Sequence, residues 1–329
     1  MAVDRADDDG ETARRPAVAP ADAVRPAGAD HGTDSGAGRE AGSGTDSRVP
    51  REASGGAGRW PEQERQAIAR RLHRVLVDHA YGVARDAWAE AAPDLRAAWE
   101  NHKVRYPERE RPTPQTTPDG GWTAGPHRRL SPEQNAEASK ACADIADEGR
   151  RDILPALQRV ESADPDRRLA GLEHMLKGED RLKEKVADEL VAPGLTVRDA
   201  LEKVSDAVRY TFTYPPQRYT VGVVTDVELL KVEGFELIKL KNLWTDEQYK
   251  GINSQWRQPN SGLRFEVQFH TPESLEAKEL THGAYERIRG TVTRAERAEL
   301  EDFQRRANAL LVAPEGTAEI RDYPEKANG

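Results

Sequence analysis

The sequence predicts an α+β fold with a mixed β-sheet flanked by helices, preceded by a disordered N-terminal region. Three observations carry this. Residues 1–58 hold no aromatic residue and are dominated by Ala, Gly, Asp, Arg, Ser and Pro. Such a segment cannot bury enough apolar surface to offset its backbone entropy. Over residues 59–102, and again from 131 to about 205, apolar residues recur at spacings of three and four, the helical period. Beyond Asp206, β-branched and aromatic runs at 207–214, 235–242, 249–257 and 263–271 read as strands around one helix at 219–234, before helical spacing returns at residue 272.

Taken in order, residues 59–102 form a helical segment. Ile68, Leu72, Val75, Leu76 and His79 make its apolar face, weakly continued by Val83, Trp88 and Trp99. Pro93 divides it into two helices, because proline removes a helical hydrogen bond and clashes with the preceding turn. Residues 103–130 carry Pro, Gly and Thr without a period and read as a linker. Ser131-Pro132-Glu133 opens a helix with proline in its first turn. It continues through Ala141, Ile145, Ile153 and Leu157, with Pro155 as a kink or an end. A turn at 162–166 leads into a helix over 167–190. Leu169, Leu172 and Leu176 form its face, then Leu182 and Val186 after a break at Gly178. Thr196 and Asp199 stand in capping-box spacing and start a short helix.

Residues 207–214, AVRYTFTY, form a strand stopped by Pro215-Pro216. Residues 219–234 are helical, with Gly234 as the cap. Three strands follow at 235–242, 249–257 and 263–271, the last two joined by a QPNSG hairpin turn. Helices at 272–290 and 293–311 end the domain, and 313–329 is a surface tail.

Composition excludes several functions. Net charge is −9 with a pI near 5.6, against a general nucleic-acid-coating protein though not against a local basic site. One cysteine, Cys142, excludes an internal disulfide framework and a multi-cysteine zinc site. No stretch of 18 apolar residues exists, so no membrane span is expected. The first 20 residues lack the apolar core of a Sec signal peptide, which makes the cytoplasm the default location.

Chemistry concentrates after residue 176. In LRFEVQFHT, Arg264, Glu266, Gln268 and His270 share one strand face, and Phe265, Val267 and Phe269 share the other, which is core. Four polar groups in a row are either a solvated face of an antiparallel strand or a functional face. Tyr249, Gly251 and Asn253 share a face of the preceding strand, and Gly251 suggests a close approach by a ligand or another backbone. Asp206 opens the first strand, which also carries Arg209. An acid there is either a cap or one of two carboxylates converging on a magnesium ion and nucleotide phosphates. Lys177, Arg181 and Lys185 stand four apart and line one face if the helix is continuous, an arrangement suited to phosphates or to a solvated surface.

The succession of a basic helix, DAVRYT, KNLW, YKGIN, FEVQFHT and THGAYE resembles the synthetase domain of the RelA/SpoT family, the (p)ppGpp pyrophosphokinases. It is most similar to divergent RelA/SpoT-like domains of actinobacterial toxin-like proteins. The resemblance covers residues 131–312 and implies a nucleotidyltransferase-like sheet. The family strand motif E-V-Q-I-R-T matches Glu266 to Thr271, which implies a catalytic, Mg²⁺-binding Glu266. Y-Q-S-L-H matches Tyr249 to Asn253, which implies that Tyr249 stacks on the acceptor base. R-V-K-S-P-E-S-I-x-x-K matches Met175 to Lys185, which implies ATP-phosphate contacts at Lys177 and Lys185. His282 and Tyr285 fall in step with a later helix motif. Departures are Met175 for an arginine, Asn253 for a histidine and His270 for an arginine. Asp206 stands three residues before Arg209 where the family Asp stands five.

The expected activity is transfer of the β,γ-pyrophosphate of ATP to the 3′-hydroxyl of a nucleotide, the alarmone chemistry of the stringent response. Asp206 and Glu266 are expected to be the catalytic and metal residues. Lys177, Arg181, Lys185 and Arg209 are expected on ATP, and Tyr249, Asn253, Gln268 and His270 on the acceptor. The expected cofactor is Mg²⁺. The expected partners are ATP, a guanine or adenine nucleotide and an immunity or regulatory protein, with neither membrane nor DNA. Two alternatives stand beside this: a non-catalytic nucleotide-binding or interaction module of the same fold, and a toxin that pyrophosphorylates RNA 3′ ends. No His-Asp hydrolase motif occurs, since Asp78-His79 has the reverse order.

Overall fold

The computed structural model describes residues 61–107, 112–192 and 194–325. The disorder expected of residues 1–58 lies outside the described residues.

Helix α1 runs unbroken from Glu62 to Arg105 with Pro93 inside it, so the expected division into two helices does not occur. Trp88, Ala92 and Leu95 flank the proline and are buried with residues of two later helices. That tertiary burial outweighs one lost backbone hydrogen bond. The expected apolar face is also corrected: Ile68, Leu72, Val75 and Leu76 are exposed, and the buried side begins at Tyr81.

The expected linker contains structure. Three two-residue strands, β1 (Gln115–Thr116), β2 (Trp122–Thr123) and β3 (Arg129–Leu130), pair antiparallel. Trp122 and Leu130 anchor them in a small core with Val186, Val197 and Ala200. The Trp122 indole donates to Asp180 Oδ1 at 2.9 Å.

Helix α2 (Pro132–Glu148) starts as expected. Ser131 Oγ accepts from Gln134 N, and Gln134 Oε1 accepts from Ser131 N. A π-helical turn over Gly149–Ile153 precedes α3 (Leu154–Ser162), whose first turn takes Pro155. The helix expected over 167–190 is corrected in its first half. Arg168–Ala170 is a strand, β4, paired with residues 211–213; Gly171 then adopts φ 64° and leads into a 3₁₀ turn, Leu172–His174. Leu169 on the strand and Leu172 on the turn both pack partly buried against the main core without a helix, so their spacing misleads. Helix α4 is Glu179–Glu189, and α5 is Val197–Glu202 behind the expected Thr196–Asp199 capping box.

The remaining elements follow the expected order: β5 (Arg209–Thr213), α6 (Pro216–Val232), β6 (Glu236–Asn242), β7 (Ile252–Arg257), β8 (Arg264–His270), α7 (Pro272–Ile288) and α8 (Arg294–Ala309). The large sheet has order β4-β5-β8-β7-β6, with β5 and β8 parallel and the other pairs antiparallel. The class is α+β, with a mixed sheet flanked by helices. One sheet face is the main core. Tyr210, Phe212, Phe265, Val267 and Phe269 pack there with α3 and α6 residues such as Leu157, Tyr219, Val223 and Leu230. Each large apolar side chain buried this way stabilises by about 1.5–3 kcal/mol. The other face carries the polar residues of β5, β7 and β8 towards α4 and α7.

Helix α7 docks on α1 through Gly283, where a Cβ would lie 2.5 Å from the Trp99 ring. Within the expected surface tail, Glu315 N donates to Tyr81 Oη at 2.6 Å, and Leu240 and Tyr323 exchange two backbone hydrogen bonds. No helix among the described residues is long and apolar enough to cross a membrane.

Candidate functional site

The polar sheet face opens into a cavity of about 670 Å³ between α4 and α7. Seven basic and four acidic side chains line it, so it is locally positive on a chain of net charge −9.

Its centre is built by backbone pairing. Residues 175–177 form a short antiparallel bridge with 207–209: Lys177 N donates to Ala207 O at 3.0 Å and Arg209 N to Met175 O at 2.7 Å. This brings Lys177 beside Asp206 before α4 begins, so the lysine meets the site although it lies outside the helix. Lys177 Nζ donates to Asp206 Oδ2 at 2.9 Å, and Lys185, from α4, donates to Oδ1. Burial raises the Asp206 carboxyl, but the hydrogen bonds from Lys185 and Lys177 overcome it and hold the pKa at about 2. Burial lowers Lys177 despite its carboxylate partner.

The parallel register of β5 and β8 sets Arg209 opposite Glu266. Arg209 Nε donates to Glu266 Oε2, and its Nη2 lies 3.6 Å from Asp206 Oδ2. Burial opposes the guanidinium charge, but Glu266 and Asp206 more than restore it. Asp206, in the turn before β5, and Glu266, on the neighbouring strand, are thus bridged by one arginine. Arg181 reaches the same cavity on ion pairs to Glu184 at 2.8 Å and Glu286 at 3.1 Å.

Tyr249 and Asn253 also line the cavity. The Tyr249 hydroxyl donates to Asn253 Oδ1 at 2.7 Å, and His270 Nε2 stands 2.9 Å from that Tyr249 hydroxyl oxygen. Its Nδ1 lies 2.9 Å from Ser274 Oγ. Burial pushes the His270 pKa down to about 3, which keeps the ring neutral. Burial and the Glu266 charge raise the Tyr249 phenol.

Two acceptor residues expected from the sequence are corrected. Gln268 and His270 are buried and do not line the cavity. Strand β8 dives inward along its length beneath α7, so the polar row from Arg264 to His270 is half-exposed at its start and sealed at its end. Gln268 Nε2 donates to Glu266 Oε1 at 3.2 Å. These side chains position Glu266 and Tyr249. The close approach inferred at Gly251 is made by His270: a Cβ would lie 2.8 Å from its Cε1.

Sequence reasoning missed Gln255, Lys278, Glu286 and Arg289 on the cavity wall. Gln255 continues the alternation from Asn253 and pairs with Glu266 in register. Lys278 lies one helical turn before His282 on α7 and belongs to no motif. A second cavity of about 590 Å³ adjoins the first and shares Arg209, Lys278 and His282 with it.

Among the described residues no group of three or more His, Cys, Asp or Glu side chains gathers to hold a metal ion. Asp206 and Glu266 supply only hard oxygen donors. That set fits Mg²⁺ bound through two carboxylates plus phosphate oxygens.

No protein-family model matches this sequence, and no curated protein matches it. Among solved structures it is similar to a GTP pyrophosphokinase family protein from Streptococcus pneumoniae, with 14% identity over 57% of this chain and 91% of that one at a TM-score of 0.37. It is also similar to small alarmone synthetase 1 from Bacillus subtilis, with 12% identity over 53% and 92% of the two chains at 0.38. For small alarmone synthetase 2 of the same organism the values are 14%, 52%, 92% and 0.36.

Proposed function

We propose that this chain is a nucleotide pyrophosphokinase that transfers the β,γ-pyrophosphate of ATP to the 3′-hydroxyl of a guanine or adenine nucleotide. One observation carries the reading: Asp206 and Glu266 meet at one cavity with Lys177, Arg181, Lys185, Arg209 and the Tyr249 ring. Of these, Lys177, Lys185, Tyr249 and Glu266 are residues on which the RelA/SpoT motifs fall.

In the proposed reaction the acceptor O3′ bonds to the β-phosphorus, the bond from that phosphorus to the α,β-bridging oxygen breaks, and AMP leaves. Asp206 and Glu266 would hold Mg²⁺, which when bound neutralises phosphate charge. Lys177, Lys185 and Arg209 rest on those two carboxylates and would turn to the phosphates as nucleotide enters. They then hold the pyrophosphoryl group in line and stabilise the charge that develops on it. Glu266 takes the 3′-hydroxyl proton. Tyr249, its hydroxyl fixed by Asn253 and His270, stacks on the acceptor base.

A non-catalytic nucleotide-binding module is the second reading, and Met175 favours it. This side chain replaces the motif arginine and is 6% exposed within the main core, where it cannot touch a nucleotide. Incubating the protein with Mg²⁺, γ-labelled ATP and each of GDP, GTP, AMP and ADP separates the two. Label appearing on an acceptor supports the enzyme. Nucleotide binding without transfer to any acceptor supports the module.

A further inference from the structure

We propose that Lys278 is a polyphosphate ligand at the junction of the two cavities, a cation left without a carboxylate partner so that a phosphate can take that place. The choice of ligand class rests on the nucleotide reading above; the geometry does not.

Every other basic side chain on the main cavity wall has an acidic partner. Lys177 and Lys185 hold Asp206, Arg209 holds Glu266, and Arg181 holds Glu184 and Glu286. Lys203 stands 2.7 Å from Glu189, and Arg289 stands 3.7 Å from Glu286. Lys278 alone forms no ion pair or side-chain hydrogen bond among the described residues.

It is also half-buried, and both burial and the charge of Arg209 press it towards the neutral form, with Glu279 and Glu266 opposing only in part. A half-buried ammonium without a partner costs free energy. A fold keeps such a group at little benefit to itself unless something else completes it. The position says what. Lys278, Arg209 and His282 are the three side chains common to both cavities. A ligand whose two ends occupy the two cavities passes its middle over them. A nucleoside triphosphate in that pose presents its phosphate chain there, and an ammonium beside a guanidinium suits it.

The test compares the parent protein with Lys278→Gln and Lys278→Arg by calorimetric titration of Mg²⁺·ATP, inorganic tripolyphosphate and adenosine, with melting temperatures alongside. Lys278→Gln should weaken ATP and tripolyphosphate about tenfold, the loss of roughly one charge-assisted contact, and leave adenosine unchanged. Lys278→Arg should stay within about threefold of the parent. Lys278→Gln should melt no lower than the parent, because it removes an uncompensated charge; a structural lysine would show the opposite. Parental affinity of Lys278→Gln for both polyphosphates overturns the proposal, as does a parent that binds neither. A parent that binds tripolyphosphate in a Lys278-dependent way yet transfers pyrophosphate to no acceptor sinks the enzyme reading and leaves Lys278 standing. A parent that transfers, with an unchanged KM for ATP in Lys278→Gln, does the reverse.

Discussion

Two arginine–carboxylate clusters lie on opposite sides of the same sheet. On the core side Arg167 pairs with Asp226, which also accepts from the Tyr214 hydroxyl, and Arg167 and Asp226 are 1% and 0% exposed. On the cavity side Arg209 pairs with Glu266 and leans on Asp206, and every member reaches solvent. The groups are the same; their access to water is not. Burial pushes the Asp226 carboxyl up to about 7 against the hydrogen bond from Tyr214 and the charge of Arg167. Asp206, buried less completely and held by two lysines, is down at about 2. A sealed pair is committed to its partner, whereas an open one can exchange its partner for a ligand.

Four experiments test this contrast. The largest effect is expected at the open cluster. Glu266→Gln keeps size and removes charge, and pyrophosphate transfer should fall on the order of 10³-fold or more with little change in melting temperature. A variant turning over at the parental rate would remove Glu266 from the site. At the sealed cluster the balance inverts. Asp226→Ala strands a buried guanidinium and should cost about 3–5 kcal/mol of stability in urea unfolding. The activity of the molecules that remain folded should be unchanged.

The two acids should also respond to pH with opposite sign. Folding lowers Asp206 from 3.8 to about 2. Its contribution is therefore present above pH 3.8 and is lost as pH falls towards 2, a change of about 2 kcal/mol. Folding raises Asp226 from 3.8 to about 7, so its contribution is greatest below 3.8 and is lost as pH rises through 7. Stability differences between the parent and Asp206→Asn, and between the parent and Asp226→Asn, measured across that range should slope in opposite directions. Parallel slopes would mean that the two clusters do not differ as described. The smallest effect concerns acceptor binding. Tyr249→Ala should weaken it by about 1–3 kcal/mol while ATP binding survives. Equal losses for both nucleotides would place the ring elsewhere.

The sequence discloses whatever is local. The helix starts at Ser131 and Thr196, the alternation of β8 and the hairpin before it are all decided within a few residues, and each occurs. Strand β4 was hidden because its partner lies some 40 residues later in β5. Trp122 and Leu130 anchor a small sheet inside a stretch whose composition resembles a linker. Within the site, Asp206, Glu266, Lys177, Arg181, Lys185, Arg209, Tyr249 and Asn253 all reach the cavity. Gln268 and His270 alternate correctly but are buried, and a strand pattern cannot report what will cover it. Lys278 shows the converse: nothing in a helical lysine's neighbourhood along the chain reveals that it forms no ion pair among the described residues.

Strand β6 is the last strand of the large sheet, and its outer rim would otherwise offer unpaired donors and acceptors. Leu240 is paired on both backbone groups with Tyr323, and Asn242 N donates to Asp322 Oδ1 at 2.9 Å. The C-terminal residues therefore occupy the strip on which a second molecule would add its own strand, and Lys239 and Lys241 flank the occupied point with charge. A chain shortened to residue 313 would keep every residue of the cavity wall and lose its guard against self-association.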